Sequence, residues 1–241
     1  DLVYLGAVEN MGSVPSILND STVVVEGGEG DDRYEIAAYT VTGTVGDGNN
    51  NFEAIGVEVD LTAGDGDNHF EVGAVTGSIT AGDGNNRVDL ALGDSPNTIW
   101  GGSITDGSPT MTTTQSFDDV ETEFTVTLGD GANEFNFGAG ATDGSGTVNV
   151  YTDQADWADD FDSAVTYVGG DGGNKVTGTA QTVVVTVGDG ADEIDVAGEE
   201  ITVSSAGGDD IIVVSGFDGD YAEDNYRIED GALVHNGDDT G

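Results

Sequence analysis

One nine-residue phrase, repeated at a fixed step, decides the fold: VGDGNNNFE from Val45, AGDGDNHFE from Ala63 and AGDGNNRVD from Ala81. Each copy starts 18 residues after the previous one. A constant step of this length is typical of a chain that winds into similar coils stacked on one another. Five further copies, GGEGDDRYE, LGDGANEFN, GGDGGNKVT, VGDGADEID and SAGGDDIIV, start at Gly27, Leu128, Gly169, Val187 and Ser205.

The two halves of each copy predict different local structures. Gly-Asp-Gly predicts a tight turn, because glycine adopts positive φ without steric cost and short polar side chains bond back to the backbone. Apolar residues then alternate with polar ones, as in Phe52/Ala54, which indicates a half-buried strand. A second alternating run, such as Val57-Val59-Leu61, completes the period. Each coil is therefore predicted to contain two strands and two turns.

Stacked coils place equivalent residues in columns about 4.8 Å apart. One apolar column is predicted to lie inside the stack: Tyr34, Phe52, Phe70, Val88, Phe135, Val176, Ile194 and Ile212. An acidic column is predicted to lie at the turns: Glu29, Asp47, Asp65, Asp83, Asp130, Asp171 and Asp189.

The predicted fold class is all-β, a right-handed parallel β-solenoid (β-roll) of roughly nine or ten 18-residue coils with irregular caps and two inserted loops. Residues 1–26 are predicted to form an N-terminal cap or an assembly strand, 27–216 the solenoid, and 217–241 the C-terminal cap. The insertions are predicted at about 101–120 and 152–164. In the second, Trp157 and Phe161 predict a short acidic helix packed on the solenoid, or alternatively an aromatic patch for carbohydrate or a partner.

The phrase resembles the calcium-binding nonapeptide G-G-x-G-x-D-x-U-x of the RTX (repeats-in-toxin) β-roll proteins. The copy at residues 27–35 matches every fixed position. Most other copies carry Asn at the sixth position, and the turn recurs once per coil, on one side only. This one-sided layout looks like that of the calcium-bound solenoids of giant bacterial adhesins.

The resemblance implies that the sixth-position side chain, together with backbone carbonyls of the turn, holds Ca²⁺ between coils. The implied calcium-binding residues are Glu29, Asp32, Asp47, Asn50, Asp65, Asn68, Asp83, Asn86, Asp130, Asn133, Asp171, Asn174, Asp189, Asp192 and Asp210, with Asp218 and Asp220 as a further loop. An alternative remains open for Asn50, Asn68 and Asn86. They could form an internal amide ladder that bonds neighbouring coils without metal.

The net charge of −44, from 48 acidic residues against four Lys or Arg, excludes nucleic-acid binding and disfavours contact with anionic lipid. Two carboxylates one coil apart repel by about 0.9 kcal/mol in water, and more at lower dielectric. Arg33, His69, Arg87 and Lys175 occupy the seventh position of their copies, next to the acidic turn. The remaining acids require bound calcium or a salty medium.

The chain contains no cysteine, which excludes disulfides and thiol chemistry, and no apolar run of membrane-spanning length. It begins at Asp1 without a signal peptide, so we expect a processed or trimmed N-terminus. Calcium sites of the extracellular kind work at about 10⁻⁴ to 10⁻³ M, so we expect a secreted protein at the cell surface or outside the cell.

No enzymatic activity is expected, because the repeat position already accounts for most of the few basic side chains. The expected function is structural: a calcium-stabilised block that self-associates through the solenoid ends or caps into a surface layer, filament or adhesin. The alternative is a non-assembling repeat module that serves as a spacer or secretion element. Ice binding is less favoured, because the third position of the phrase is acidic.

Overall fold

The fold is taken from a computed structural model, which describes residues 2–6, 8–10, 15–17, 21–93, 103–105, 108–110, 122–142, 148–151, 163–216, 226–229 and 232–235. Side chains are described for 21–93, 122–138 and 163–216. The helix predicted around Trp157 and Phe161 lies outside the described residues. Within them all regular structure is strand, and no helix long and apolar enough to cross a membrane is found there.

The strands, in chain order, are β1 (Leu2–Gly6), β2 (Val8–Asn10), β3 (Pro15–Ile17), β4 (Thr22–Glu26), β5 (Arg33–Ala37), β6 (Thr40–Thr44), β7 (Asn51–Ile55), β8 (Glu58–Ala63), β9 (His69–Ala74), β10 (Thr76–Ala81), β11 (Arg87–Leu92), β12 (Ser103–Thr105), β13 (Ser108–Thr110), β14 (Thr122–Leu128), β15 (Glu134–Thr142), β16 (Val148–Tyr151), β17 (Ser163–Gly169), β18 (Lys175–Thr179), β19 (Thr182–Asp189), β20 (Glu193–Gly198), β21 (Glu200–Gly207), β22 (Ile211–Gly216), β23 (Tyr226–Glu229) and β24 (Ala232–His235).

Two long sheets form the solenoid. Sheet I has the order β1-β5-β7-β9-β11-β15-β18-β20-β22-β23-β24, and sheet II the order β21-β19-β17-β14-β10-β8-β6-β4. Strands pair in parallel from β1 to β22 and throughout sheet II. Each coil contributes one strand to each sheet, so the predicted parallel β-solenoid is confirmed. It has about eight turns, fewer than the nine or ten predicted.

The register between neighbouring coils follows the repeat. Phe52 pairs with Phe70, and Phe70 with Val88, one period apart each time. The step becomes 47 residues between β11 and β15 and 41 residues between β15 and β18, yet the strands still meet in register. The rungs on either side of each inserted segment are therefore direct neighbours in the stack.

The predicted inner column is buried throughout, between 0 and 5 % exposed. Neighbouring rings stack along it, with centroids 5.2 Å apart for Tyr34 and Phe52 and 5.5 Å apart for Phe52 and Phe70. Sheet II supplies the facing apolar layer: Val41, Val59, Ile79, Phe124, Val126, Val165, Val183 and Val185. Burial of this continuous core is the main stabilising contribution.

The Gly-Asp-Gly turns require their second glycine. Gly48 has a φ of 143°, and Gly66 one of 135°, a conformation that other residues rarely adopt. A Cβ atom at Gly48 would also overlap the carbonyl oxygen of Gly30 in the coil before it. The turns can therefore stack at strand spacing only because this position has no side chain.

The terminal segments join the stack differently. β1 pairs in parallel with β5, and β4 in parallel with β6, so these two strands extend the solenoid on the N-terminal side. On the other side β23 pairs antiparallel with both β22 and β24. The capping roles of 1–26 and 217–241, the limits of the insertions and the handedness of the coil stay predictions.

Candidate functional site: the ladders of the turn edge

The turn column predicted from the sequence is present and aligned along one edge of the solenoid. The Oδ1 atom of Asp47 accepts the backbone N–H of Asp65 at 3.0 Å, and that of Asp65 accepts the N–H of Asp83 at 2.9 Å. The same bond continues from Asp83 to Asp130, from Asp130 to Asp171 and from Asp171 to Asp189. The column is thus built into the backbone through one carboxylate oxygen per rung, while its side chains are exposed.

A parallel ladder two positions further along the turn was not predicted. The Oδ1 atom of Asp31 accepts the N–H of Asn49, Asn49 accepts from Asp67, and Asp67 accepts from Asn85. Asn85 in turn accepts from the N–H of Ala132 at 3.0 Å. The recurrence of a short Asp or Asn at the fifth position of these copies was the sequence signal for it.

The sixth-position residues form a buried inner ladder. The Nδ2 group of Asn50 donates to the carbonyl oxygens of Gly46 at 3.2 Å and Gly48 at 3.1 Å, and to Oδ1 of Asn68 at 2.9 Å. The backbone N–H of Asn50 also donates to Oδ1 of Asn68, at 3.1 Å. The side-chain bonds repeat at the other asparagine rungs, Asn68, Asn86, Asn133 and Asn174.

The orientation of these amides follows from their neighbours. Each one faces two glycine carbonyls that can only accept hydrogen bonds, so the NH₂ group must point toward them. Calcium, in contrast, needs several oxygen atoms at one place. The five asparagine rungs present N–H groups there and do not fit the ion as they stand, so the geometry favours the amide-ladder alternative at Asn50, Asn68, Asn86, Asn133 and Asn174.

Asp192 occupies the same inner ladder and differs by one atom. Its Oδ1 accepts the N–H of Asn174 at 2.8 Å and the Nδ2 of Asn174 at 2.9 Å. Its Oδ2, at the place of the asparagine NH₂ group, cannot donate and has no hydrogen-bond partner, although the residue is only 2 % exposed. An oxygen in that setting fits a proton or a cation, which places Asp192 first among the predicted calcium ligands.

The residues around Asp192 explain why its oxygen is unpartnered. In the next coil Ser205 donates from its hydroxyl to Oδ2 of Asp210, whereas the residue paired with Ser205 beside Asp192 is Val187. Burial raises the pKa of the Asp192 carboxyl, the charge of Asp210 raises it further, and the bonds from Asn174 oppose the rise. Asp192 is therefore the described residue of the inner ladder whose side chain lacks a hydrogen bond at one oxygen.

Asp32 ends the ladder on the N-terminal side. Its backbone N–H donates to Oδ1 of Asn50 at 3.2 Å, and its carboxylate accepts a hydrogen bond from the Tyr34 hydroxyl. Burial raises the pKa of Tyr34, and the charge and hydrogen bond of Asp32 add to the rise. The hydroxyl of Tyr34 therefore donates to the Asp32 carboxylate, as the hydroxyl of Ser205 donates to that of Asp210.

Three of the seventh-position residues, Arg33, His69 and Arg87, lie on the outer face of sheet I and pair with strand acids, not with the turn column beside which the sequence placed them. Arg33 contacts Glu35 at 2.9 Å and Glu53 at 3.9 Å. Arg87 contacts Asp89 at 2.7 Å and Glu134 at 3.3 Å. The reason is the alternation of the strand, which puts residues two apart on the same face.

We call the paired acidic and basic side chains on the outer face of sheet I the outer ladder. Within it Asp89 accepts hydrogen bonds from three side chains. Burial raises its pKa, but hydrogen bonds from His69, Arg87 and Asn136 more than offset this and hold the pKa of Asp89 well below its usual range. Glu53 lies on the same strand as Asn51, which occupies the seventh position between Arg33 and His69 and is not basic. Burial raises the pKa of Glu53, and the charges of Glu35 and Glu71 raise it further.

The remaining predicted ligands divide into two groups. Glu29, Asp47, Asp65, Asp83, Asp130, Asp171 and Asp189 lie at the exposed turns, while Asp218 and Asp220 lie outside the described residues. Among the residues that the structure describes, no three His, Cys, Asp or Glu side chains converge closely enough to hold a metal ion.

The fold and the ladders define the protein as a parallel β-solenoid with a carboxylate-lined turn edge. Comparison with protein-family models, with curated proteins and with solved structures finds no match for the chain. A solenoid shape does not by itself identify the RTX family, so that resemblance stays a prediction.

Proposed function

We propose that the protein is a secreted structural solenoid, stabilised by calcium, that self-assembles as a building block of a surface layer, extracellular filament or adhesin. One observation carries the proposal: the inner ladder runs from Asp32 to Asp210 and is not interrupted by either inserted segment. A stack bonded along its whole length is a rod, and a rod suits load-bearing and spacing roles.

The charge distribution supports a cation-dependent rod outside the cell. Each aspartate of the turn column uses Oδ1 to bond the next coil, and the neighbouring charges stand about 4.8 Å apart. Arg33 and Arg87 of sheet I pair with strand acids and do not neutralise this edge. Calcium would neutralise such carboxylates, and Asp192, with its unpartnered Oδ2, is the inner residue that would hold it.

A calcium titration of metal-free protein tests the cation. We expect calcium to raise the melting temperature, because a ligand that binds the folded state stabilises it. Magnesium serves as the control ion, since it demands near-ideal octahedral geometry and dehydrates reluctantly. An unchanged melting temperature and unchanged far-UV circular dichroism up to millimolar calcium would remove calcium from the proposal.

Electron microscopy in millimolar calcium tests the assembly. We expect fibres or sheets whose units have the length of one solenoid. A protein that is stabilised by calcium and yet stays monomeric would support the alternative, a repeat module that spaces or helps export a larger secreted protein.

A further inference from the structure

The outer face of sheet II is a regular array of hydroxyl side chains. The outward positions of its eight strands form three columns, and 15 of these 24 positions are Thr or Ser. We call this surface the threonine face: Thr22, Thr40, Thr42, Thr44, Thr62, Thr76, Ser78, Thr80, Thr125, Thr127, Thr166, Thr182, Thr186, Thr202 and Ser204, with Val24, Ala164, Val168 and Val184 and five acids.

The acids of the threonine face are unevenly distributed over its three columns. Its acids are Glu26, Glu58, Asp60, Glu123 and Glu200, out of 48 in the chain, and none of its positions is Lys or Arg. The column that runs from Glu26 through Thr44 to Ser204 contains no acid other than Glu26, its first member. Two copies of a −44 molecule would therefore meet less repulsion between charges along this column than at the acidic turn edge.

Exposed apolar side chains lie on the same surface. Among the described residues three large apolar side chains are exposed, and two of them, Val24 at 62 % and Val168 at 38 %, belong to the threonine face. Threonine contributes a methyl group at most other positions. Methyl groups and hydroxyls in register make this a mixed apolar and polar surface.

The size of the surface suits an interface. Eight strands about 4.8 Å apart and three outward positions about 6.7 Å apart cover roughly 600 to 700 Å². Two such faces would bury roughly 1,300 Å², which is within the range of specific protein interfaces. The columns of the face are also continuous along the stack, because the coils pair in constant register.

We infer that the threonine face binds the threonine face of a second copy of this chain, so that solenoids associate side by side. This inference rests on the proposed structural function and adds a lateral contact to the assembly through ends or caps. A two-fold pair brings the centre of the face against itself, and that centre lies at Ser78 on β10 and Thr125 on β14. Salt should strengthen the contact, because it screens the remaining repulsion.

Sedimentation velocity of Thr125→Glu tests the inference. We expect wild-type protein to form dimers or larger species as protein concentration and salt rise, and Thr125→Glu to weaken this association at least tenfold. The matched control is Thr177→Glu, which adds the same charge on the outer face of sheet I and should associate as wild type does. Circular dichroism and melting temperature check that each variant keeps its fold.

Charge complementation keeps the test decisive if a single variant misfolds. Thr125→Lys mixed with Thr125→Glu should restore mixed pairs, because opposite charges then meet at the centre. Wild-type assembly that Thr125→Glu leaves unchanged would overturn the lateral contact and leave the proposed function standing. Wild-type protein that stays monomeric in high salt and calcium would overturn both. Thermal hysteresis by monomeric wild type, lost in Thr125→Glu, would assign the face to ice instead.

Discussion

The asparagine rungs and the aspartate rung of the inner ladder occupy equivalent places and differ in one atom. At Asn68 the NH₂ group completes the ladder through Gly64, Gly66 and Asn86. At Asp192 an oxygen takes that place, is buried and finds no donor. A stack of coils can therefore close its turns with its own amides, whereas a carboxylate rung needs a hydroxyl, a proton or a cation.

The largest expected effect comes from turning an asparagine rung into an aspartate rung. Asn68→Asp should lower the free energy of unfolding by about 3 kcal/mol in EDTA, because it buries a charge and leaves two carbonyls without donors. Urea unfolding measures the change. Asn85→Asp is the control, since Asn85 is exposed and uses only its oxygen, and it should cost less than about 0.5 kcal/mol. Equal losses of unfolding free energy in the two variants would show that the buried asparagine rungs do not differ from exposed turn residues in their need for an NH₂ group.

The reverse change should complete the ladder. Asp192→Asn should raise the free energy of unfolding by about 1 to 2 kcal/mol in EDTA, because it supplies the missing donor and removes a buried charge. Thermal unfolding with and without calcium measures this, and the calcium-induced rise in melting temperature should shrink in the variant. An Asp192→Asn protein that gains nothing in EDTA would show that Oδ2 is satisfied in solution.

In the outer ladder of sheet I, a carboxylate with hydrogen-bond donors, Asp89, contrasts with the unpartnered carboxylate of Asp192, and the contrast predicts a pH dependence of stability. The pKa of Asp89 is held below its unfolded value, so Asp89 contributes stability above about pH 4 that is lost as pH falls toward its folded pKa. Asp89→Asn should lower stability at pH 6 by about 1 kcal/mol and flatten the acid limb. Melting temperatures from pH 6 to 2.5 measure it. A wild-type acid limb that the variant reproduces would locate the acid sensitivity elsewhere.

The smallest effect is expected at the outer rung that lacks a cation. Asn51→Arg should stabilise the protein by about 0.5 kcal/mol, because it places a positive charge beside Glu53 as Arg33 lies beside Glu35. The gain should fall in 1 M salt, where such pairs are screened. Melting temperatures at low and high salt measure it, and a gain that does not depend on salt would point to packing instead of charge.

Much of the fold could be predicted because the repeat fixes which residues share a column. The burial of Phe52 and Phe70 and the alignment of Asp47 with Asp65 follow from the period alone. The partners of Arg33 and Arg87 could not be predicted, because the choice between turn and strand acids depends on side-chain direction. Whether the inner ladder can bind a metal ion could not be predicted either, since a repeat cannot show whether an oxygen or an NH₂ group faces the turn carbonyls.

The continuity of the inner ladder across the inserted segments has a practical consequence. Asn86 bonds to Asn133 over 47 residues and Asn133 to Asn174 over 41, which exceeds the 18-residue period by 47 − 18 = 29 and 41 − 18 = 23 residues. Extra polypeptide can thus leave at a corner and re-enter without disturbing the rungs. The solenoid should accept grafted peptides or whole domains at these two points, which makes it a display scaffold whose cargo changes while its frame stays the same.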